Sequence, residues 1–143
     1  MLGKLVAMKK SVTLPAIFFL TTVSAAQAHD TSTIHSLLDK SADAVTAKNW
    51  VAGAGAASDL VETEGLTPLQ TAMAQNNLCI HMTQLQRFGG ALDACDAAVA
   101  YAPEAWAVYV NRGNLLYAMG KRGAAKADYA KAKTLNPTEP AVD

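Results

Sequence analysis

The chain has 143 residues, of which 51% are hydrophobic and 17% are charged, with 12 basic residues against 12 acidic ones. This length allows one ordinary domain with a hydrophobic core rather than two. The charge balance shows no basic excess, which argues against nucleic acid as the partner, because phosphates require a basic face.

The segment from Met1 to Ala28 has the pattern of a cleavable secretory signal peptide. Three lysines supply the positive start, residues 12–23 form a short apolar run, and Ala26-Gln27-Ala28 places small residues around a cleavage position. We therefore predict that the mature chain begins at His29 and that the protein is secreted or periplasmic. The alternative is an uncleaved membrane anchor, but the apolar run is shorter than the roughly 20 residues that a span needs.

Cleavage would make the mature chain acidic. It removes three of the 12 basic residues and none of the 12 acidic ones, which leaves a net charge of −3.

Translation can start at Met1 or at Met8, since Met8-Lys9-Lys10 also makes a good signal start. No later segment is long and apolar enough to cross a membrane, so we expect no stable membrane insertion after cleavage.

Apolar residues recur at three- and four-residue steps through the rest of the chain, which predicts an all-α protein. No segment shows the alternation of a strand. The predicted helices cover residues 31–48, 51–61, 68–85, 91–102, 104–119 and 122–135. Residues 86–90 contain two glycines and form a predicted turn, while Thr67-Pro68 and Pro103-Glu104 are predicted helix starts. Leu69 is predicted to face the core.

A constant offset of 34 in the numbering relates the last two helical pairs. The coincident residues are Asn77 with Asn111, Cys79 with Gly113, Ala91 with Ala125, Cys95 with Tyr129, Ala98 with Ala132 and Pro103 with Pro137. A fixed period of this length is typical of repeat proteins, whose units stack to bury their apolar faces. An offset of 38 pairs Trp50 with Phe88 and leaves about four extra residues before Ala72, so the first pair is the most divergent copy.

The last pair resembles a tetratricopeptide repeat (TPR), whose pattern is W-x2-L-G-x2-Y, then A-x3-F, then P. Those positions hold Tyr109, Arg112, Gly113, Leu116, Ala125, Tyr129 and Pro137. The resemblance implies three TPR-like units, at residues 29–71, 72–105 and 106–139, stacked as a short right-handed solenoid with a loose tail at 140–143. Arg112 departs from the pattern, which has leucine: either its stem covers the edge of the core and its head reaches water, or its face meets no further element.

The resemblance also places the two cysteines opposite each other. Cys79 and Cys95 occupy the small-residue and aromatic positions of the middle unit, on two antiparallel helices. In an exported protein we therefore predict a disulfide between them. The alternative is a pair of buried thiols that act as small apolar fillers.

In TPR proteins the first helix of each pair lines a concave groove, and the resemblance carries that role to two helices here. The expected groove residues are Met73, Asn76, Asn77, Ile80 and Thr83 in the middle unit, and Val110, Asn111, Asn114, Tyr117 and Ala118 in the last. Asparagine both donates and accepts hydrogen bonds, so these side chains can hold the backbone of an extended peptide. Alternatively, Asn77 and Asn111 hydrogen-bond between helices.

No motif for catalysis or for a cofactor stands out. The segment Cys79-Ile80-His81-Met82 contains soft metal ligands, but helical spacing turns His81 away from Cys79, so we rank metal binding last. There is no nucleophile with a base and an orienting acid, no glycine-rich phosphate loop, and no zinc-binding spacing. We expect neither enzymatic activity nor a cofactor.

Two functions remain as alternatives. The favoured one is an exported adaptor that binds a protein or peptide of unknown identity in its groove. The rival is a self-associating structural module, since the alanine-rich second helices and Trp50 suggest an open face that seeks an apolar partner.

Overall fold

The computed structural model describes residues 25–138, with side chains from residue 31 onward, and this part of the chain forms six α-helices. The helices are α1 (Ala25–Thr46), α2 (Trp50–Val61), α3 (Pro68–Gln84), α4 (Phe88–Tyr101), α5 (Trp106–Ala118) and α6 (Arg122–Leu135). The predicted all-α fold class is confirmed. The predicted signal peptide, apart from its end at 25–28 in α1, and the predicted tail at 140–143 lie outside the described residues.

The six helices form three antiparallel pairs, α1–α2, α3–α4 and α5–α6, and the pairs stack on one another. The second helix of each pair packs against the first helix of the next pair, α2 on α3 and α4 on α5. The first helices also touch, α1 with α3 and α3 with α5. This is the nearest-neighbour contact pattern of a helical-repeat stack.

The same backbone turn closes all three pairs. Lys48, Gln86 and Gly120 hold equivalent positions, with φ of 54°, 57° and 77°. In each turn the next amide donates to a carbonyl five positions earlier, at 2.8–2.9 Å. Glycine adopts positive φ without strain, whereas lysine and glutamine do so less readily. The repeat is therefore visible in backbone geometry even where the sequence has diverged.

Three predicted helices have boundaries that are wrong by two residues or more. α1 begins at Ala25 rather than at residue 31 and ends at Thr46 rather than at residue 48. α4 begins at Phe88, so two of the residues assigned to the turn, Gly89 and Gly90, lie in its first helical turn. A Cβ at Gly90 would lie 2.8 Å from the Met82 sulfur, so glycine permits this close approach of α3 and α4. α5 begins at Trp106 rather than at residue 104. In the preceding turn, the carbonyl oxygen of Pro103 accepts a hydrogen bond from the hydroxyl of Tyr109 on α5.

The extra residues of the middle unit form an additional first turn of α3, which has 17 residues against 13 in α5. A capping box stabilises this turn: Thr67 and Gln70 bond each other's backbone amides at 2.9 and 3.2 Å. Leu69 is 66% exposed, so its predicted burial is wrong. It lies one helical turn before Met73, which is also exposed, and thus on the open side of α3.

The core is distributed along the stack rather than concentrated at one place. Each of its three clusters contains residues from neighbouring pairs: Ile34, Leu38, Leu60 and Ala74; Ala57, Leu78, Cys79, Ala91, Ala94, Cys95 and Leu115; and Ala98, Val108, Tyr109 and Ala132. Many of these residues are small, so the helix backbones approach closely. Burial therefore couples each pair to the next.

Candidate functional site

The candidate site is the face formed by α3 and α5, the first helices of the middle and last pairs. The ten predicted groove residues all lie on these two helices, and each is at least partly exposed. Met73 and Tyr117 are 45% and 57% exposed. A surface with such side chains and several amides is suited to contact another molecule.

Two asparagines on this face are joined across the helices. Nδ2 of Asn111 donates to Oδ1 of Asn76 at 2.8 Å. Interhelical hydrogen bonds of Asn77 and Asn111 are the alternative role expected from the sequence. In the structure Asn111 makes such a bond, and its partner is Asn76. Within the described part of the chain, the bond leaves Oδ1 of Asn111 and Nδ2 of Asn76 available to another molecule.

A second amide is oriented from α6. The hydroxyl of Tyr129 donates to Oδ1 of Asn114 at 2.9 Å, so the remaining amide group of Asn114 is a donor. Burial, reinforced by the charges of Tyr117 and Asp128, raises the pKa of Tyr129 above its ordinary value. The hydroxyl therefore keeps its proton at neutral pH and continues to orient Asn114.

Asn111 and Asn114 meet at a small pocket between α3 and α5. The pocket has a volume of about 40 Å³ and is lined by Ile80, Thr83, Gln84, Asn111 and Asn114. Four of these residues belong to the predicted groove set. The sequence reasoning missed Gln84, although its position one helical turn after Ile80 places it on the same helical face.

The candidate face carries almost no charge of its own. α3 contains no Asp, Glu, Lys or Arg. Arg122 lies beside one groove residue, with its guanidinium carbon 5.8 Å from the centre of the Tyr117 ring.

Arg112 holds α5 between α4 and α6. Its Nε and Nη2 donate to the Asp128 carboxylate, both at 2.8 Å, and its Nη1 donates to Asp96 at 2.9 Å. These carboxylates, Asp128 foremost, raise the pKa of Arg112 above its ordinary value. The interpretation that the face of Arg112 meets no further element is wrong, because Arg112 is ion-paired with residues of α4 and α6. Its side chain keeps 23% exposure, so its head reaches water only in part.

The structure joins Cys79 and Cys95 in a disulfide that links α3 to α4, with their Cα atoms 5.0 Å apart. Both residues are buried. In the last pair the equivalent residues are Gly113 and Tyr129, and a Cβ on Gly113 would overlap the Tyr129 ring. At this position the middle pair has a disulfide between its two helices, whereas the last pair has the Tyr129 ring packed against Gly113.

The segment Cys79-Ile80-His81-Met82 does not bring its Cys and His side chains together as metal ligands. The sulfur of Cys79 is bonded to Cys95, and His81 is directed into the seam between the first and middle pairs. Among the residues with described side chains, no three His, Cys, Asp or Glu side chains are grouped as metal ligands would be. A search of the same part of the chain for a helix able to cross a membrane finds none.

Three stacked helical hairpins, with equivalent turns and a glycine–aromatic contact in the last, define a helical-repeat protein of TPR-like fold. The structure is similar to that of a Thermobaculum terrenum O-GlcNAc transferase mutant, with a TM-score of 0.69 and 24% identity over 76% of this chain. This chain spans only 20% of the length of that transferase. It is also similar to the first TPR domain of human RPAP3, with a TM-score of 0.67 and 20% identity over 75% of this chain and 81% of that domain.

No family model matches the chain, and no curated protein matches its sequence. At the identities of the two solved structures, the likeness establishes the fold alone. The TPR-like fold that the last pair indicated is confirmed.

Proposed function

We propose that the protein is an exported TPR adaptor that binds an extended segment of a partner protein on the α3–α5 face, without catalysis. The observation that carries the proposal is the orientation of Asn111 and Asn114 by hydrogen bonds from within the protein. TPR-like stacks are suited to protein interaction because successive pairs create a continuous concave surface.

The two asparagines offer complementary hydrogen-bonding groups. Asn111 uses its NH₂ group on Asn76, which leaves a carbonyl oxygen, whereas Asn114 uses its carbonyl oxygen on Tyr129, which leaves an NH₂ group. They lie one helical turn apart and line the same pocket. A main-chain peptide unit carries one N–H donor and one C=O acceptor, so it matches this pair regardless of side chain.

Preordering of the amides reduces the entropy lost when a ligand binds. A free asparagine must be immobilised on binding, at a typical cost of about 0.5–1.5 kcal/mol for a side chain that is rich in rotamers. Here Asn76 and Tyr129 already restrict the two side chains in the free protein. Asn76 and Tyr129 are therefore positioning residues of the proposed site.

Apolar side chains flank the amides and supply contact area. Met73 and Ile80 lie on α3, and Val110 and Tyr117 lie on α5. Methionine adapts to irregular surfaces, and tyrosine offers a large rigid face with few rotatable bonds. We infer a partner segment that is extended, alternates apolar and polar side chains, and has no net positive charge beside Arg122.

Export is supported by the disulfide and by the signal-like segment from Met1 to Ala28. Disulfides persist in oxidising compartments and are rare in the cytosol. Titration of thiols in unfolded, unreduced protein isolated from the periplasm should detect no free thiol. Two reactive thiols per chain would contradict the disulfide in the exported protein.

The binding proposal is tested by crosslinked capture from a periplasmic extract followed by affinity measurement with the captured partner. We expect Asn111→Ala/Asn114→Ala to weaken binding by about tenfold or more, because two hydrogen-bonding groups are lost and each contributes about 0.5–1.5 kcal/mol. Tyr117→Ala should weaken binding too, whereas Tyr101→Ala is the matched control, because Tyr101 is 51% exposed on α4, away from this face. Equal capture by the wild type and the double variant would exclude the α3–α5 face.

Self-association through an open apolar end is the less favoured function, because the outer face of α6 is not apolar. Leu92 and Val99 of α4 pack against clusters that include residues of α5. At the equivalent repeat positions, α6 has Lys126 and Lys133. A polar outer face is typical of the terminal unit of a repeat stack. A stable dimer in light scattering after size exclusion would favour the rival function.

A further inference from the structure

His81 lies fully buried at the junction of α1, α2 and α3. Its Nε2 is 3.0 Å from the carbonyl oxygen of Ser41 and 3.4 Å from the hydroxyl of the same residue. Because a carbonyl oxygen only accepts, Nε2 carries the proton of the neutral ring. The other nitrogen, Nδ1, is then an acceptor, and it is the one buried side-chain nitrogen or oxygen that lacks a hydrogen-bond partner in the described structure.

The imidazole fills a seam that is shaped for it. A Cβ at Gly53 would overlap the ring, so α2 can approach α3 here only through glycine. The Trp50 ring packs beside the imidazole, with centroids 6.1 Å apart and planes tilted by 52°. In the last pair the equivalent position is Leu115, which is also fully buried. A titratable ring thus stands where the last pair has an aliphatic side chain.

No countercharge accompanies this ring. Burial lowers the pKa of His81, the hydrogen bond to Ser41 opposes that shift, and no charged side chain contributes. α3 itself has no Asp, Glu, Lys or Arg. On α2, Asp59 is exposed. On α1, the charged residues nearest Ser41 in sequence are also exposed, namely Asp39, Lys40 and Asp43.

We propose that His81 is a pH-sensitive latch, in which the neutral ring holds the α1–α2 pair on α3 and protonation at Nδ1 releases that pair. Protonation would place a cation and a second N–H donor, at Nδ1, in a seam where Nδ1 has no hydrogen-bond partner and no anion faces the ring. The disulfide between α3 and α4 and the Arg112 ion pairs lie outside the seam, so the remaining pairs stay folded.

The direction of the pH effect follows from proton linkage. In the released state, His81 on α3 binds the proton with the ordinary histidine pKa of about 6.5, whereas in the docked state its pKa is lower. Docking is therefore complete above about pH 6.5 and weakens as the pH falls below that value. The docking equilibrium constant falls by up to tenfold per pH unit until the pKa of the docked state is reached.

Hydrogen exchange of the full chain tests the latch. Between about pH 7.5 and about pH 5.5, we expect amide protection, corrected for intrinsic exchange, to fall in α1–α2 by about tenfold more than in α5–α6. His81→Gln should remove this difference, because glutamine can still donate to Ser41 but does not titrate. His35→Gln is the control, since His35 is exposed on α1, and it should behave as the wild type. The same loss in His81→Gln, or an equal loss in all six helices, would overturn the proposal.

Nitrogen NMR of the wild type provides a second test that needs no variant. We expect the Nε2–H tautomer for His81 and a titration midpoint below about 6.5, with loss of the Trp50 contact over the same range. An Nδ1–H tautomer, or a midpoint at or above that of His35, would overturn the latch even if the glutamine variant does not fold.

Discussion

Replacement of Arg112 by leucine tests how α5 is held in the stack. At the same repeat positions of the middle pair, the equivalents of Arg112 and Asp128 are Leu78 and Ala94, and both are buried. The double variant Arg112→Leu/Asp128→Ala therefore copies an arrangement that the same fold already contains. The single variant Arg112→Leu leaves Asp128 without either of its 2.8 Å hydrogen bonds to the guanidinium.

The expected magnitudes differ sharply between the single and double variants. The side chain of Asp128 is only 10% exposed, so it becomes an uncompensated buried charge when Arg112 is removed. Breaking a buried pair typically costs about 3–5 kcal/mol, whereas replacing both partners by apolar residues is often neutral. Because Arg112 retains 23% exposure, we expect about 3 kcal/mol for Arg112→Leu. We expect less than about 1 kcal/mol for the double variant.

Urea unfolding followed by far-ultraviolet circular dichroism measures these free energies of unfolding. Asp96→Ala is the matched control: its side chain is 56% exposed, so its pair with Arg112 should contribute less than about 1 kcal/mol. If Arg112→Leu alone loses less than about 1 kcal/mol, Asp128 is not held as the structure implies. A double variant as unstable as the single one would show that the ion pair, and not the stranded charge, accounts for the loss.

Two further predictions concern the close helix contacts. Removing the disulfide with Cys79→Ala/Cys95→Ala should lower the free energy of unfolding by about 3 kcal/mol, because the bond closes a loop with a 16-residue separation and so restricts the unfolded chain. Equal urea midpoints of the oxidised and the reduced wild type would contradict this. Gly113→Ala should lower thermal stability because its Cβ would overlap the Tyr129 ring, whereas Gly55→Ala, with open space around the new Cβ, should raise stability by up to about 1 kcal/mol. Equal shifts in the melting temperature of the two glycine variants would refute the assigned contact.

Helix positions followed from the sequence wherever local signals agree with packing. The capped start of α3 at Thr67-Pro68 and the full extent of α6 match the prediction, because capping residues and apolar periodicity act within a few residues. The start of α4 did not, since two consecutive glycines normally weaken a helix. Contact between Gly90 and Met82 on another helix decides that boundary.

The helix positions of the predicted groove residues followed from the sequence, but the hydrogen bonds between their side chains did not. The constant offset between the last two pairs carries the groove positions from one pair to the next, and those residues do lie on the α3–α5 face. Their role in binding stays a proposal. The bonds from Asn111 to Asn76 and from Tyr129 to Asn114 join different helices, so no pattern within one helix reveals them.

The sequence by itself determined the all-α class, the TPR-like repeat and the two cysteines that face each other, because these depend on spacing within and between neighbouring helices. Only the tertiary structure decided that Arg112 is paired with two carboxylates and that His81 is buried against Ser41. The partners in these contacts are 16 and 40 residues apart. Such contacts are set by how whole helices cross, and the periodicity of a single helix does not contain that information.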